Sequence, residues 1–273
     1  MPEGDTIYRT AVTLHRALAG KRVVAFETVF AKLLGVDIVG EDVSSVRSRA
    51  KWILMTFSGG RVLLTHMRMH GSWHLYARGT RWQHSRARAR IVLETARAIA
   101  VGFDVPVAEW TLERRLAAHP VLARLAPDPL GAGFDPTEVF RRAREHDSVT
   151  VETLLLDQGV FAGIGNALKS EILFLEKIHP SRKARTLSDF ELHSLIARAL
   201  ALLSLNTLGV AERGGAPIFQ RAGRFSRGSL NPREGLYVYR RAGLPCRTCG
   251  TPILSLQARE GRITYFCPAC QSL

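Results

Sequence analysis

The sequence predicts an α+β chain in which an antiparallel β-rich part is followed by a helical part and closed by a metal-binding hairpin. Three observations carry that expectation. Residues 22–104 hold short runs rich in Val, Ile and Thr between turn signals, the pattern of a sandwich or barrel. Past a Pro- and Gly-rich stretch at 127–136 the apolar spacing becomes helical. All four cysteines lie near the C-terminus, as two Cys-x-x-Cys pairs. With 273 residues, 46% of them hydrophobic, the chain is long enough for two cores at roughly 150 residues per domain.

The elements follow in order. Ile7, Ala11, Leu14 and Leu18 recur at helical spacing and Gly20 offers a stop, so an amphipathic helix begins within a few residues of Met1. Strands are expected at 22–29, 43–49, 52–57, 61–66, 72–76, 88–94 and 99–104, with Ser58-Gly59-Gly60 as one of the turns. Pro127-Asp128-Pro129-Leu130-Gly131 and Phe134-Asp135-Pro136 have linker chemistry, which divides the chain into domains at 1–130, 131–236 and 237–273. Asp135 caps the next helix, with Pro136 at its first position and Glu138 three residues after the cap. Ser188 and Glu191 form a second capping-box pair, opening a helix that runs to about Asn206. Between them, 151–158 and 166–177 read as a helix pair joined by the Gly-rich turn 159–165. The free amides at the start of the second helix suit an anion, with Asn166 adding a donor to a phosphate; an ordinary helical hairpin fits the same spacing. Residues 209–236, with Arg213, Arg221, Arg224, Arg227 and Arg233 among glycines, predict a mobile basic loop.

Lys and Arg number 38 against 24 Asp and Glu, for a formal charge of +14. Such an excess attracts polyanions, of which nucleic acid and anionic membrane are the commonest. No run of about 18 uncharged apolar residues exists and no secretory pattern opens the chain, so a soluble, cytoplasmic, nucleic-acid-binding protein is expected.

Cys246, Cys249, Cys267 and Cys270 are spaced C-x2-C-x17-C-x2-C, a four-thiolate zinc pattern with no open coordination position. The zinc is therefore structural; disulfides or a redox Cys-x-x-Cys are the alternative. At the other end, removal of the initiator methionine would leave Pro2 as a secondary amine. An α-amino group titrates about two units below lysine, so Pro2 suits iminium formation with a sugar aldehyde. Glu3 beside it would deliver a proton. Proline and an acid in a first helical turn also occur for capping alone.

Four blocks together resemble the Fpg/Nei family of DNA glycosylases. They are Pro2-Glu3-Gly4-Asp5-Thr6, Ser48-Arg49-Ala50-Lys51, the run Leu155-Leu156-Asp157-Gln158 through Gly163-Ile164-Gly165-Asn166 to Ser170-Glu171-Ile172-Leu173, and Tyr265-Phe266-Cys267-Pro268-Ala269-Cys270-Gln271. Glu3-Gly4-Asp5-Thr6 is most similar to the endonuclease VIII branch, of actinobacterial type. The resemblance implies an N-terminal β-sandwich, a helix-two-turn-helix domain with a zinc hairpin, and damaged double-stranded DNA in the cleft between them. It implies a monomeric, bifunctional glycosylase and AP lyase without a small-molecule cofactor, most active on oxidised pyrimidines. The same fold with an 8-oxoguanine and formamidopyrimidine preference, and a non-catalytic damage-binding protein, stay open.

The resemblance also implies residue roles. Pro2 is the Schiff-base nucleophile, Glu3 protonates the sugar ring oxygen, and Lys51 meets the phosphate flanking the lesion and assists β-elimination. Arg262, five residues before Cys267, drives δ-elimination, a task that suits a planar guanidinium on a rigid hairpin. The loop that fills the gap left by the extruded nucleotide maps onto Arg68, Met69 and His70, where the familiar endonuclease VIII has Gln-Leu-Tyr. Met69 is then the apolar wedge, though as a strand residue it also suits a core. Arg124 and Asn166 contact phosphates, positioning the duplex without reading sequence. The Arg-rich run 84–90 is a weaker candidate that a solvated loop explains as well.

Overall fold

The computed structural model describes residues 2–146, 148–207, 235–257 and 261–273; the expected basic loop lies outside them apart from its last two positions. The described residues divide into two compact units, one running to Ala123 and one made of Arg124–Asn206 with the C-terminal residues. Among the described residues no helix is long and apolar enough to cross a membrane.

In the first unit, α1 (Gly4–Leu18) buries Ile7, Ala11, Leu14 and Leu18, the stripe that the spacing predicts. Each buried leucine there contributes about 2 kcal/mol. Ala19 donates to the His15 carbonyl, and Gly20 at φ 69° turns the chain out of the helix. Eight strands follow: β1 (Val23–Thr28), β2 (Val43–Arg49), β3 (Trp52–Phe57), β4 (Arg61–His66), β5 (Ser72–Ala77), β6 (Ala89–Thr95), β7 (Ala98–Phe103) and β8 (Val107–Leu112). They form two antiparallel sheets, β1-β6-β7-β5 and β2-β3-β4-β8. Val23, Ile91, Leu93 and Ala100 of one and Val46, Ile53, Met55 and Leu63 of the other join the apolar face of α1 in a single core, so the sandwich expectation holds. The strand β8 is an addition to the expected set. It begins directly after Pro106, which cannot donate to a ladder, and it lies at a sheet edge where that costs nothing.

Two bonds set the direction of α1 on β2. The Gly20 amide donates to the Val43 carbonyl, and the Val46 amide donates to His15 Nδ1, so helix and strand run antiparallel. From His15 back to Glu3 the helix rises ~18 Å, which equals five or six strand residues. That brings Glu3 level with the far end of β2 and its hairpin.

In the second unit, α2 (Pro136–Glu145), α3 (Val151–Leu156), α4 (Asn166–Leu175) and α5 (Asp189–Leu205) enclose a core of Val139, Leu154, Leu155, Phe161, Leu168, Ile172, Leu195 and Ala199 among others. The helix α4 is buried from Ala167 to Phe174, as a helix at the centre of a bundle is. Ser188 and Glu191 make the reciprocal capping box. The other cap differs: Asp135 accepts from the Thr137 amide, while the Glu138 carboxylate turns to Arg141 and Arg142 instead of the cap. Two charged partners within one helical turn outcompete a single amide. The chain ends in a hairpin of β9 (Leu254–Gln257) and β10 (Ile263–Phe266), paired from Ile263 with Gln257 to Phe266 with Leu254.

Candidate functional site

Pro2 precedes α1, and Glu3 is its N-cap residue in extended conformation, its carbonyl accepting from Ile7. The Glu3 side chain, like that of Asp5, is wholly buried. A buried carboxyl at a helix N-terminus is unusual enough to ask for a function.

Lys51 lies at the tip of the β2–β3 hairpin, a two-residue turn between the paired Arg49 and Trp52. Its companion Ala50 has φ 52°, a left-handed conformation that costs a non-glycine residue about 1 kcal/mol. Next to the hairpin on the sheet, Trp52 pairs with His66 at the end of β4. Burial first, then the positive charges of Lys51 and Arg68, lower the His66 pKa to about 4. Its imidazole is therefore neutral at pH 7, and Nδ1 accepts from the Arg68 amide at 3.0 Å.

That amide opens the 67–71 loop. Met67 is buried at 2% exposure whereas Met69 is 57% exposed, so the core alternative is excluded for Met69. Arg68 has φ 44°, and Arg68 and His70 are exposed. The Gly71 amide closes the loop on the Met67 carbonyl at 2.9 Å. Lys51 and the Arg68-Met69-His70 loop thus lie at the same end of the first unit, toward which the alignment of α1 on β2 directs Pro2 and Glu3.

The second unit carries the remaining candidates. Its Gly-rich turn is built around Gln158, whose Nε2 donates to the Leu156 and Ile164 carbonyls and whose Oε1 accepts from Gly163. Gly163 has φ 87°. Arg142 donates to the Gly159 carbonyl, and Ala126 donates to that of Gln158, which places exposed Arg124 beside the turn. Asn166 opens α4; its Nδ2 donates to the Ile263 carbonyl at 2.7 Å. The residue before Ile263 is Arg262, exposed and directly ahead of β10. One hydrogen bond therefore joins the N-terminus of α4 to the strand that follows Arg262.

The four sulfurs lie within 4.8 Å of one another, with Cys246 and Cys270 3.9 Å apart and Cys249 and Cys267 3.5 Å apart. A tetrahedron of ~2.3 Å zinc–sulfur bonds has edges of ~3.8 Å, whereas a disulfide needs ~2.05 Å. All four cysteines are free, so the disulfide alternative fails and the cluster fits a metal ion. Hydrogen bonds from Thr251 lower the Cys249 thiol to about 6, while burial pushes Cys267 and Cys270 up.

Sequence reading missed the residues that fasten this hairpin. Glu171, wholly buried, accepts from the amides of Tyr237, Val238 and Tyr239 at 2.7–2.9 Å. Gln271 accepts from Cys267 and donates to the Ile178 carbonyl. Lys169, Thr264 and Glu152 form a buried polar triad. The available signal was the polar run Lys169-Ser170-Glu171 inside an otherwise apolar helix.

A helix-capped β-sandwich carrying a candidate amine nucleophile, joined to a helical unit with an anion-suited turn and a four-thiol hairpin, defines a glycosylase architecture. Residues 1–103 match the formamidopyrimidine-DNA glycosylase N-terminal domain, and residues 125–213 match the formamidopyrimidine-DNA glycosylase H2TH domain. The chain belongs to this formamidopyrimidine-DNA glycosylase and endonuclease 8 family. It is 34% identical to an endonuclease 8 of Mycobacterium tuberculosis, over 99% of this chain and 100% of the relative. It is likewise 34% identical to a DNA-(apurinic or apyrimidinic site) lyase of Mycolicibacterium smegmatis, over 100% and 99%. The fold matches that of Lactococcus lactis formamidopyrimidine-DNA glycosylase solved with abasic-site DNA, with TM-score 0.81, 21% identity, and 99% and 100% of the two chains covered.

Proposed function

We propose that this chain is a bifunctional DNA glycosylase and AP lyase of base excision repair that removes oxidised bases, pyrimidines foremost, from duplex DNA. With Met1 removed, the Pro2 nitrogen attacks C1′ of the damaged nucleotide. The glycosidic bond breaks, the base departs with a proton, and Glu3 protonates the ring oxygen so that the sugar opens as an iminium. Loss of the C2′ proton expels the 3′ phosphate, and loss of a second proton expels the 5′ phosphate. The iminium is the electron sink for the first elimination. Lys51 neutralises the flanking phosphate and assists proton transfer, and Arg262 serves the second elimination.

Met69 wedges into the stack, Arg68 and His70 meet the orphaned base, and Arg124 and Asn166 hold phosphates. Cys246, Cys249, Cys267 and Cys270 would hold one structural zinc ion, which would fasten the hairpin and supply no reacting group. The protein acts as a monomer in the cytoplasm and needs no small-molecule cofactor.

The observation that carries this reading is the antiparallel alignment of α1 on β2, which directs buried Glu3 toward the end of the first unit where the Lys51 hairpin and the exposed Met69 loop lie. Borohydride trapping on duplexes with an abasic site or thymine glycol tests it. A covalent adduct mapped to Pro2 on both duplexes is expected. The Pro2→Gly variant should trap none, and Glu3→Gln should still trap abasic DNA while losing base excision. No adduct from the wild type would leave a damage-binding protein without catalysis.

A further inference from the structure

Three residues of one face of α4, at positions i, i+3 and i+4, meet three successive residues of β10. Asn166 donates to the Ile263 carbonyl at 2.7 Å, Lys169 Nζ donates to Thr264 Oγ1 at 2.6 Å, and the Tyr265 amide donates to Ser170 Oγ at 3.3 Å. The middle contact differs from its neighbours. Thr264 Oγ1 also donates to the Glu152 carboxylate of α3, and Lys169 Nζ lies 3.9 Å from that carboxylate. Lys169 and Thr264 are wholly buried and Glu152 nearly so.

A hydroxyl in this position is both acceptor and donor, so it bridges a buried cation and a buried anion that stand too far apart for a short hydrogen bond of their own. Losing it removes the group that bridges the ammonium of α4 and the carboxylate of α3 to β10, and a shift of the strand that carried it is the direct response. Arg262 stands two residues before Thr264, just ahead of that strand and ~7 Å along an extended backbone.

We propose that Thr264, clamped by Lys169 and Glu152, is a positioning residue that sets Arg262 for the second elimination. The assignment rests on Arg262 serving that step. Formation of the Pro2 iminium makes no demand on β10, whereas a displacement of about 1 Å at a reacting centre costs up to about 10²-fold in rate. Thr264 thereby controls which product leaves the enzyme and leaves the first covalent step alone.

The test is the product ratio on an abasic duplex for wild type, Thr264→Val and Thr264→Ser, with zinc content and borohydride trapping measured on the same preparations. Thr264→Val, which keeps shape and removes the hydroxyl, should retain zinc and trap at the wild-type rate. Its ratio of β,δ-product to β-product should fall about tenfold, as a partial displacement predicts, and Thr264→Ser should restore it. Should Thr264→Val lose its zinc, Glu152→Gln, which keeps an acceptor oxygen, is read by the same ratio. An unchanged ratio in a zinc-loaded variant that traps normally overturns this assignment alone. A wild type that traps no adduct overturns the enzymatic reading and this assignment with it.

Discussion

His66 stands edge-on to Trp52, its partner across β3 and β4, with ring centroids 5.1 Å apart and planes at 77°. This packing, with Lys51 and Arg68 nearby, holds the folded-state pKa near 4 against an ordinary 6.5. His74 is held at about 4 as well, by burial and then by His84 and Arg88. A value lowered on folding means that the unfolded chain takes up the proton first as the pH drops. The stability these histidines contribute is therefore complete above about pH 6.5 and lost as the pH falls toward 4. The melting temperature should decline across that window, and His66→Gln should flatten part of the decline. An equal slope in the variant would show that His66 does not titrate as described.

The 67–71 loop holds both a residue needed for stability and the proposed wedge, Met69. A Cβ on Gly71 would stand 2.7 Å from the Met67 carbonyl oxygen and 3.2 Å from the Val105 Cα, both backbone atoms that cannot swing aside. Gly71→Ala should therefore cost about 2 kcal/mol, read as a drop in melting temperature. Met69→Ala removes an exposed side chain and should change stability by less than about 0.5 kcal/mol. Its affinity for lesion duplex should nonetheless fall while its affinity for undamaged duplex stays, since only the extruded site needs a wedge. Equal losses on both duplexes would argue against the wedge.

The sulfur geometry makes a stoichiometric prediction. Native mass spectrometry should find one zinc per chain, absent after Cys267→Ser, because three thiolates leave the tetrahedron open. Structural zinc contributes about 10–16 kcal/mol of apparent binding energy to such modules, so chelation should unfold the hairpin and suppress the second elimination through loss of Arg262, leaving the β-product. A β,δ-product that forms at the wild-type rate in metal-free protein would detach Arg262 from the second elimination.

Periodicity and punctuation made much of this architecture legible. The α1 stripe, seven of the eight sandwich strands and the Ser188 cap all follow from local spacing, because each element presents one face to its core. What stayed hidden was decided by distant partners. The strand β8 alternates weakly and follows a proline, and only its pairing with β4 makes it a strand. Glu138 stands where a capping box would use it, yet Arg141 and Arg142 claim its carboxylate. Lys169 and Glu171 look like solvated charges until Thr264 and the 237–239 backbone are brought to them. The motif residues at the N-terminus were visible by resemblance, but the end-to-end alignment of α1 with β2 that carries Glu3 toward Lys51 needed the register.

Glu171 yields the sharpest stability prediction. Its Oε2 accepts from Tyr237, and its Oε1 accepts from both Val238 and Tyr239. The Tyr237 ring stacks on Phe174 of the same helix, centroids 5.0 Å apart, so 237–239 is docked on α4 by both polar and aromatic contacts. Downstream, Arg241 donates to the Pro245 carbonyl, immediately before Cys246. Replacing Glu171 by Gln keeps the shape but must turn an NH2 group toward one of three N–H donors. A lost charge-assisted bond and an unsatisfied amide together cost about 3 kcal/mol. Glu171→Gln should therefore lower the melting temperature and weaken zinc retention in a competition with chelator, since the segment it anchors leads into the first Cys-x-x-Cys. Glu171→Ala, which leaves three amides without the carboxylate, should be worse in both measurements. If either variant melts like the wild type, the hairpin is anchored elsewhere.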